Sequence, residues 1–597
     1  MKIRIITRTG LGREYDFDVD PSIIIRELKK RAGEKAGYSD LEKLWLVFDR
    51  EVLYDEDTLE DYDIQADSTL ELVDRTQRYR SLGGSFGVKF ADVSDNQALK
   101  RTGWSKTAPR WRRTRHGLCL EGLCKNKNCE AYNSTVIMPV GYKRVDMLDD
   151  DSLEKITKCP TLTTLNLYHN SIRIIGAQHL GDALRHNKTL TTLDLGANKI
   201  GDVGAQHLGD SLKHNTTLTI LNLRFNEIGQ AGAQYLGDAL KHNTTLITLG
   251  LQYNNIEDVG AQRLGDSLKH NTTLTKLDLV GNKIGDAGAQ HLGDALKHNI
   301  TLTTLKLWEN QIGVVGAEHF GNALKQNTTL STLNLEHNEI GVDVARRFAN
   351  ILQHNTILTT LNLGFNDIGD DVAQYLGDAL RHNTTLTTLD LSGSDFGHAA
   401  AQHLGDLLKH NTALTKLNLE YNYIGDAGAQ HLAHGLQHNT TLSTLNLEHN
   451  EIGVDVARRF ANILQHNTIL TTLNLGFNDI GDVGAQYLGD ALRHNTTLTT
   501  LELSGSDFGH AAAQHLGDLL KHNTALTKLN LEYNFIGDAG AQHLAHGLQH
   551  NTTLTGLDLC SNEIGDVGAQ HLRDALRYNT VILICSSAMP YLYLFFV

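Results

Sequence analysis

The chain has 597 residues, with 69 Asp and Glu against 54 Lys and Arg, which gives a formal net charge of −15. An acidic chain repels the phosphate backbone, so this balance argues against nucleic acid as the main partner. The length leaves room for several domains.

Residues 1–75 are predicted to form a small β-grasp domain. The segment MKIRIITRTG is typical of a strand, a second strand ends near Val19, and an amphipathic helix runs from about Ser22 to Ala36. Apolar strands and an acidic loop follow up to Val73. Because the chain starts with a strand and not with a secretion signal, we expect a cytoplasmic protein, with the nucleus as the alternative.

Three segments of this domain resemble ubiquitin, namely Leu46–Phe48, Thr58–Gln65 and Ser68–Val73. Val47 and Val73 match two members of ubiquitin's apolar binding patch, while Arg8 stands where the third member, a leucine, would be. The resemblance implies a fixed ubiquitin-like module that ubiquitin receptors or the proteasome bind.

Residues 76–158 are predicted to be a basic linker with a cysteine-containing segment. His116, Cys119, Cys124 and Cys129 lie close together in sequence, and Cys159 follows where the next domain begins. Thiols this close, in a chain without a secretion signal, favour zinc or free thiols over disulfides. Zinc takes four tetrahedral nitrogen or sulfur ligands, so the three clustered cysteines with either His116 or Cys159 form a candidate site for one structural ion.

Residues 159–580 contain a 28-residue period. Leucines from Leu162 to Leu554 open fifteen copies of L-x-x-L-x-L-x-x-N without an insertion or deletion. This pattern is typical of leucine-rich repeats, in which each strand–helix unit stacks on the next. We number repeat positions from the first leucine, so that the asparagine is position 9. The period predicts an α/β horseshoe solenoid of about 15 repeats, with one parallel sheet inside and helices outside.

The asparagine at position 9 is predicted to be structural. An amide both donates and accepts hydrogen bonds, so it can satisfy turning backbone that no strand partner reaches. In the fifteen copies, Ser394 and Ser506 are the departures.

Residues 330–441 recur at 442–553 with four differences, which indicates a duplicated block: Asp371/Val483, Val372/Gly484, Asp390/Glu502 and Tyr423/Phe535.

The frame L-x-x-L-x-L-x-x-N-x-I-x-x-x-G-A-x-x-L-x-x-x-L resembles the ribonuclease-inhibitor-like class of leucine-rich repeats, found also in NOD-like receptors and in activators of the Ran GTPase. The chain has no G-x₄-G-K-[ST], so it lacks the nucleotide-binding motif of a NOD-like receptor.

Positions 7 and 8 vary most, and we predict that they project from the concave face and bind a protein. The candidate residues are Tyr168, Phe225, Tyr253, Trp308, Glu309, Glu336, Phe365, Glu420, Tyr421, Glu448, Phe477, Glu532 and Tyr533. Aromatic side chains dominate binding hot spots and charges set register, so we expect a partner with a basic or mixed-charge surface. The alternative is that these positions tolerate any polar or aromatic residue.

Residues 581–597 are an apolar tail. Ser586, Ser587 and Pro590 interrupt the run, and a membrane anchor needs about 20 apolar residues, so a membrane partner is not favoured. Ile582 and Cys585 fall on leucine positions of a sixteenth repeat, which predicts a distorted final strand that caps the solenoid.

The sequence predicts a non-enzymatic adaptor without catalytic residues. Its solenoid would bind a protein client while its ubiquitin-like module engages ubiquitin-pathway or proteasomal machinery. Two alternatives are a regulator of an enzyme, similar to ribonuclease inhibitor or to a GTPase activator, and a component of a zinc-dependent ubiquitin ligase.

Overall fold

The computed structural model describes residues 2–7, 14–20, 23–36, 44–48, 51–52, 59, 64, 68–74, 118–123, 135–141, 162–577, 579 and 583–585. The chain forms two compact units, Met1–Lys106 and Thr107–Val597. In the described part of the chain, no helix is both long and apolar enough to cross a membrane.

The described part of the N-terminal unit is a five-stranded sheet with one helix against it. The strands are β1 (Lys2–Thr7), β2 (Glu14–Asp18), β3 (Leu44–Phe48), β4 (Glu51–Val52) and β5 (Thr69–Asp74), and the helix is α1 (Ile25–Ala36). The sheet order is β2-β1-β5-β3-β4, with β1 and β5 parallel and the other pairs antiparallel. Ile5, Leu28 and Leu46 are fully buried between helix and sheet. This is the predicted ubiquitin-like topology.

The C-terminal part of the chain, Thr107–Val597, is built on a parallel sheet of sixteen described strands that follow chain order. Apart from the last pair, each pair is in register one repeat apart, so that Leu221 lies opposite Leu249 and Leu249 opposite Leu277. The strands β8 to β23 are Thr164–Asn166, Thr192–Asp194, Ile220–Asn222, Thr248–Gly250, Lys276–Asp278, Thr304–Lys306, Thr332–Asn334, Thr360–Asn362, Thr388–Asp390, Lys416–Asn418, Thr444–Asn446, Thr472–Asn474, Thr500–Glu502, Lys528–Asn530, Gly556–Asp558 and Leu583–Cys585.

A helix follows each strand from β8 to β22. The helices α2 to α16 are Arg173–His186, Gly201–Leu212, Gln230–Leu240, Glu257–Leu268, Asp286–Leu296, Val314–Leu324, Val342–Leu352, Asp370–Leu380, His398–His410, Gly425–His438, Val454–Leu464, Gly481–Leu492, His510–His522, Gly537–Leu548 and Asp566–Leu576. Packed helices lie about 8–10 Å apart and strands about 4.8 Å apart. The helical side is therefore the longer one, and the stack curves into a horseshoe with the sheet on its concave face.

One continuous core runs through the repeats. Each repeat contributes leucines from its strand and the inner stripe of its helix. In a typical repeat the apolar side chains that are at most 1% exposed are Leu218, Leu221, Leu223, Ile228, Ala233, Leu236, Ala239 and Leu240. A single repeat cannot cover both its strand and its helix, so the apolar area is buried by stacking.

The asparagine at position 9 forms the predicted structural ladder. Asn226 Nδ2 donates to the carbonyls of Leu195 at 2.8 Å, Leu223 at 3.0 Å and Arg224 at 3.1 Å. Its Oδ1 accepts from the backbone N–H groups of Asn198 at 2.9 Å and Ile200 at 3.3 Å. The side chain is fully buried and joins two consecutive repeats.

The two serines at position 9 break this ladder locally. An asparagine at position 394 would accept the N–H of Ile368, but that N–H instead donates to the Asn366 carbonyl at 2.8 Å. The same change occurs before Ser506, where Ile480 donates to the Asn478 carbonyl at 2.9 Å. Serine therefore preserves only part of the network.

A second asparagine ladder lies where each helix returns to the next strand. Asn215 Nδ2 donates to the Leu184 carbonyl at 2.7 Å, and its Oδ1 accepts from the N–H groups of Thr217 at 3.0 Å and Leu218 at 2.7 Å. The equivalent Asn243 donates to Leu212 at 2.7 Å. These bonds satisfy the backbone at both corners of the repeat.

The two ends of the solenoid carry short strands. On the N-terminal side, β6 (Leu118–Leu123) and β7 (Thr135–Gly141) form an antiparallel pair, and β6 lies beside the first solenoid strand. On the C-terminal side, Leu583–Cys585 pairs with Gly556–Asp558, so a final strand exists as predicted. Its register is not the predicted one, because Ile584, and not Cys585, lies opposite Leu557. The run Val-Ile-Leu-Ile-Cys is apolar at every position, so its pattern does not specify a register.

Candidate functional site

The outward side of the sheet is the surface that the fold leaves for binding. Within the three-residue strands from β8 to β22 the central leucine is buried, and its neighbours at positions 3 and 5 are more exposed, except for the buried Gly250. Position 7 continues on the same side, because the Glu336 carboxylate accepts a hydrogen bond at 2.7 Å from Asn362 Nδ2, which is at position 5 of the next repeat. The concave face therefore consists of positions 3, 5 and 7, with position 8 at its edge.

Position 8 has a left-handed backbone in every repeat. The fifteen residues from His169 to Ser561 have φ between 50° and 64°, although only three of them, Gly281, Gly393 and Gly505, are glycines. This conformation directs the position 8 N–H to the position 7 carbonyl of the next repeat, as from Tyr421 to Glu448 at 2.9 Å. Bulky residues avoid positive φ, so the aromatic rings here occupy a backbone that disfavours them.

The aromatic rings at position 8 stack along the edge of the concave face, and Trp308 at position 7 adjoins them. We define the aromatic file as Trp308, His337, Phe365, Tyr421, His449, Phe477 and Tyr533. His337 stacks on Phe365 with ring centroids 4.6 Å apart and planes 1° apart, and His449 lies between Tyr421 at 4.2 Å and Phe477 at 4.4 Å. The tilted pairs Trp308–His337, Phe365–Tyr421 and Phe477–Tyr533 complete the file. It runs continuously over nine repeats.

Glycines allow the rings to bridge a repeat that has no ring at position 7 or 8. Phe365 and Tyr421 are two repeats apart, yet their centroids are 5.9 Å apart. The repeat between them has Gly393, where a Cβ would lie 2.5 Å from Phe365 Cδ1. Gly505 allows the same approach of Phe477 to Tyr533, at 6.1 Å.

Carboxylates lie beside this file. We define the acidic row as Glu336, Asp390, Glu420, Glu448, Glu502 and Glu532. Asparagines at position 5 donate to several of them: Asn446 to Glu420 at 3.1 Å, Asn474 to Glu448 at 2.8 Å and Asn418 to Asp390 at 2.9 Å. These bonds hold half-buried carboxylates on the concave face without neutralising them.

Burial raises the pKa values of the glutamates in the acidic row, and repulsion from nearby carboxylates adds to this effect at Glu336, Glu420, Glu502 and Glu532. Glu420 has the largest shift, to a pKa of about 7, because burial and the nearby carboxylates of Glu448 and Asp390 all oppose its ionisation. Burial also raises the pKa values of Glu336, Glu448, Glu502 and Glu532. Burial lowers the pKa of His337, which favours its neutral form. A cation that approached this row would relieve the repulsion.

The N-terminal part of the face has a different composition. The Arg224 guanidinium lies 4.6 Å over the ring of Tyr168, and Phe225 stacks on Tyr253 at 4.6 Å. The Tyr253 hydroxyl donates to Glu309 Oε2 at 2.9 Å, and burial followed by this bond raises the Tyr253 pKa. Among the described residues, Trp308 Nε1 is buried and reaches no hydrogen-bond partner.

All thirteen candidate binding residues therefore lie on or beside the concave face. The structure adds strand residues at positions 3 and 5 that were not among the predicted binding residues: Asp278, Lys306, Asp390, Lys416, Glu502 and Lys528. Their alternation with buried leucines was a visible signal. Positions 7 and 8 vary more between repeats, so variation alone does not single out positions 3 and 5.

The structure describes only some of the remaining candidate residues, which are those of the ubiquitin-like patch and of the zinc site. Val47 and Val73 are in the adjacent antiparallel strands β3 and β5, with Val47 paired to Glu71, two residues from Val73. Arg8 lies outside the described residues. Of the proposed zinc ligands, Cys119 is in β6, while His116, Cys124, Cys129 and Cys159 are outside the described residues, so the zinc site stays a prediction.

Comparison with known proteins matches both parts of the chain. The ubiquitin family model matches residues 4–77. The TMOD/LMOD leucine-rich domain model matches residues 366–479. The leucine-rich repeat model matches residues 186–209, 214–237, 242–265, 270–293, 298–321, 326–343, 354–377, 494–516, 522–545 and 550–572. A similar solved structure is an internalin (InlF) from Listeria monocytogenes, with 20% identity and a TM-score of 0.38 over 68% of this chain and 89% of the internalin chain.

The stacked strand–helix units, their leucine core and their asparagine ladders define a leucine-rich repeat solenoid. Solenoids of this class present an extended concave surface that binds other proteins. The chain consists of a ubiquitin-family domain followed by leucine-rich repeats, and it is a protein-interaction module.

Proposed function

We propose that the protein is a non-enzymatic adaptor of the cytoplasm. Its concave face binds a protein client with a basic or mixed-charge surface, and its ubiquitin-like domain engages ubiquitin-pathway or proteasomal machinery. The observation that carries this proposal is the aromatic file beside the acidic row. Ring edges offer apolar contact, and adjacent carboxylates attract cationic side chains.

The strained backbone supports a binding role for the file. A core needs no aromatic residue at position 8, since Gly393 and Gly505 occupy it without changing the local turn. Tyr421 and Tyr533 are 47% and 55% exposed, so their rings can contact a partner. Exposed aromatics held rigid by stacking lose little side-chain entropy on binding.

The client side of the proposal is tested with the double variant Phe365→Ala/Tyr421→Ala in the full chain. The matched control, Tyr375→Ala/Ile300→Ala, removes two exposed apolar side chains outside the file. Clients captured from lysate by the parent and the control should bind the double variant at least about tenfold more weakly when their Kd is measured. An unchanged Kd for every client would refute the proposed binding face.

The ubiquitin-pathway side is tested separately. Val47→Ala/Val73→Ala should reduce capture of ubiquitin receptors or proteasome subunits and leave the solenoid's clients bound. Circular dichroism and thermal unfolding of the variant check that the domain remains folded. Equal capture of these receptors by parent and variant would remove the ubiquitin-like patch from the proposal.

A further inference from the structure

Two sets of six residues on the concave face share one geometry. The first unit is Glu336, His337, Phe365, Asp390, Glu420 and Tyr421, and the second unit is Glu448, His449, Phe477, Glu502, Glu532 and Tyr533. The histidine stacks on the phenylalanine at 4.6 Å in the first unit and at 4.4 Å in the second. The phenylalanine–tyrosine centroids are 5.9 Å and 6.1 Å apart. The duplicated block has therefore folded into two surfaces of the same geometry, which differ beside Glu532, where Asp558 replaces the asparagine that bonds to Glu420.

The one difference between the units keeps their chemistry. Asp390 in the first unit corresponds to Glu502 in the second, and both are carboxylates that bond to an asparagine of the next repeat. Each unit has three carboxylates, and the nearby strand position 3 contributes one cation to each, Lys416 or Lys528. Both units are thus net acidic, and the complementary ligand is a segment that carries Lys or Arg with a neighbouring apolar group.

The distance between the two units determines how long a ligand must be to contact both of them. Equivalent residues are four strands apart in one uninterrupted sheet, from Thr332–Asn334 to Thr444–Asn446. At about 4.8 Å per strand, the separation is about 19 Å along the sheet. An extended peptide advances about 3.3 Å per residue, so about six residues span it.

We propose that the two units are equivalent sites for one extended basic segment of a partner protein, whose cationic positions recur about every six residues. The inference rests on the proposed function, because it specifies the ligand of the same concave face. A segment that meets both units gains from their effective concentration, typically by a factor of about 10² or more over a single contact. The duplication then adds a second site and not only length.

The experiment uses the full chain and three synthetic peptides. The one-site peptide has a single Lys-Tyr-Arg core in Ser and Thr flanks. The two-site peptide has two such cores whose tyrosines are six residues apart, and the mis-spaced peptide has them three residues apart. Isothermal titration calorimetry measures stoichiometry and Kd for each.

Two matched variants disable one unit each: Glu336→Gln/Glu420→Gln for the first and Glu448→Gln/Glu532→Gln for the second. The control Asp378→Asn/Asp406→Asn removes the same charge from exposed positions on the outer helices. The one-site peptide should bind two per parent chain and one per chain of either variant. The two-site peptide should bind one per parent chain at least about 10²-fold more tightly than the one-site peptide, and either variant should abolish that gain.

Other results would overturn the inference. The inference fails if the one-site peptide binds one per parent chain, or if only one of the two variants loses a peptide site. It also fails if the mis-spaced peptide binds as tightly as the two-site peptide, or if the control loses as much peptide affinity as the two variants. Absence of binding of every peptide up to about 1 mM would overturn it as well. The proposed function has a different criterion, the dependence of client binding on Phe365 and Tyr421. A client that needs these rings while the peptides fail to bind two per chain would keep the adaptor and reject the tandem site.

Discussion

The ring of Phe365 lies over the backbone of Gly393 in the next repeat, where a Cβ would stand 2.5 Å from Phe365 Cδ1. Gly393 also has φ of +53°, so its backbone favours glycine. This close approach lets Phe365 reach Tyr421 across a repeat that has no ring at position 7 or 8. The continuity of the aromatic file thus depends on a residue without a side chain.

Gly393→Ala should therefore destabilise the solenoid and weaken client binding. The left-handed backbone and the displaced ring together should cost roughly 1–2 kcal/mol, measured by urea unfolding. The control is Gly556→Ala, since a Cβ there would meet Lys528 Cγ at an ordinary 3.7 Å. An equal effect of the two substitutions would show that the contact with Phe365 is unimportant.

Asn226→Ala should remove one step of the position 9 ladder. It leaves the carbonyls of Leu195 and Leu223 and the N–H of Asn198 without their buried partner. The expected loss of unfolding free energy is about 3 kcal/mol, the upper end for groups left unsatisfied in a core. Urea unfolding monitored by circular dichroism measures it, and a loss below about 0.5 kcal/mol would contradict the structural role.

Ser394→Asn should restore one step of the same ladder and thereby stabilise the solenoid. The introduced amide would accept the N–H of Ile368, which now bonds to the carbonyl only two residues before it. We expect a gain of about 0.5–1 kcal/mol in urea unfolding. A destabilised variant would mean that the turn before Ser394 cannot return to the geometry of the other repeats.

Glu420→Gln should stabilise the protein at high pH. The folded pKa of Glu420 is about 7, above its ordinary value of 4.5, because of burial and then the charges of Glu448, Asp390 and Glu336. A raised folded pKa gives stability that is complete below pH 4.5 and is lost as the pH rises through 7. The ionised group should therefore cost roughly 2–3 kcal/mol at pH 8.

The measurement is the difference in unfolding free energy between parent and Glu420→Gln at pH 8 and at pH 5. The variant should be more stable at pH 8, and its advantage should disappear at pH 5, where the parent carboxyl is protonated. Asp378→Asn, on an outer helix, serves as the control and should show little change at either pH. A pH-independent difference for Glu420→Gln would contradict the raised pKa.

Asp202→Ala should destabilise the helix of the following repeat. Asp202 Oδ1 accepts from the N–H groups of Gly229 at 2.6 Å and Gly232 at 2.9 Å, at the start of helix Gln230–Leu240. Losing this cap should cost about 1–2 kcal/mol in thermal or urea unfolding. Gln230→Ala, at the same repeat position, removes an exposed bond to Glu257 and should cost less than about 0.5 kcal/mol.

Much of the fold could be predicted because a constant repeat length identifies residues that are distant in sequence and adjacent in the structure. A constant spacing of 28 residues means that Leu221 must lie beside Leu249, and the position 9 asparagine must meet the turn of the repeat before it. The register of the final strand was not predicted correctly, because Ile582, Leu583 and Ile584 are all apolar and fit either register. Hydrophobic pattern specifies register only where one face differs from the other.

The candidate site was predicted as a list of residues, and the tertiary structure decided how they act together. The sequence by itself determined the repeat, its buried leucines, its asparagine ladder and the presence of aromatics and carboxylates at positions 7 and 8. The structure decided that position 8 is left-handed, that Phe365 reaches Tyr421 over Gly393, and that burial raises the pKa of Glu420. Ring stacking and charge repulsion depend on ångström distances between side chains of different repeats. Those distances follow from the curvature and packing of the whole stack, which no single 28-residue unit contains.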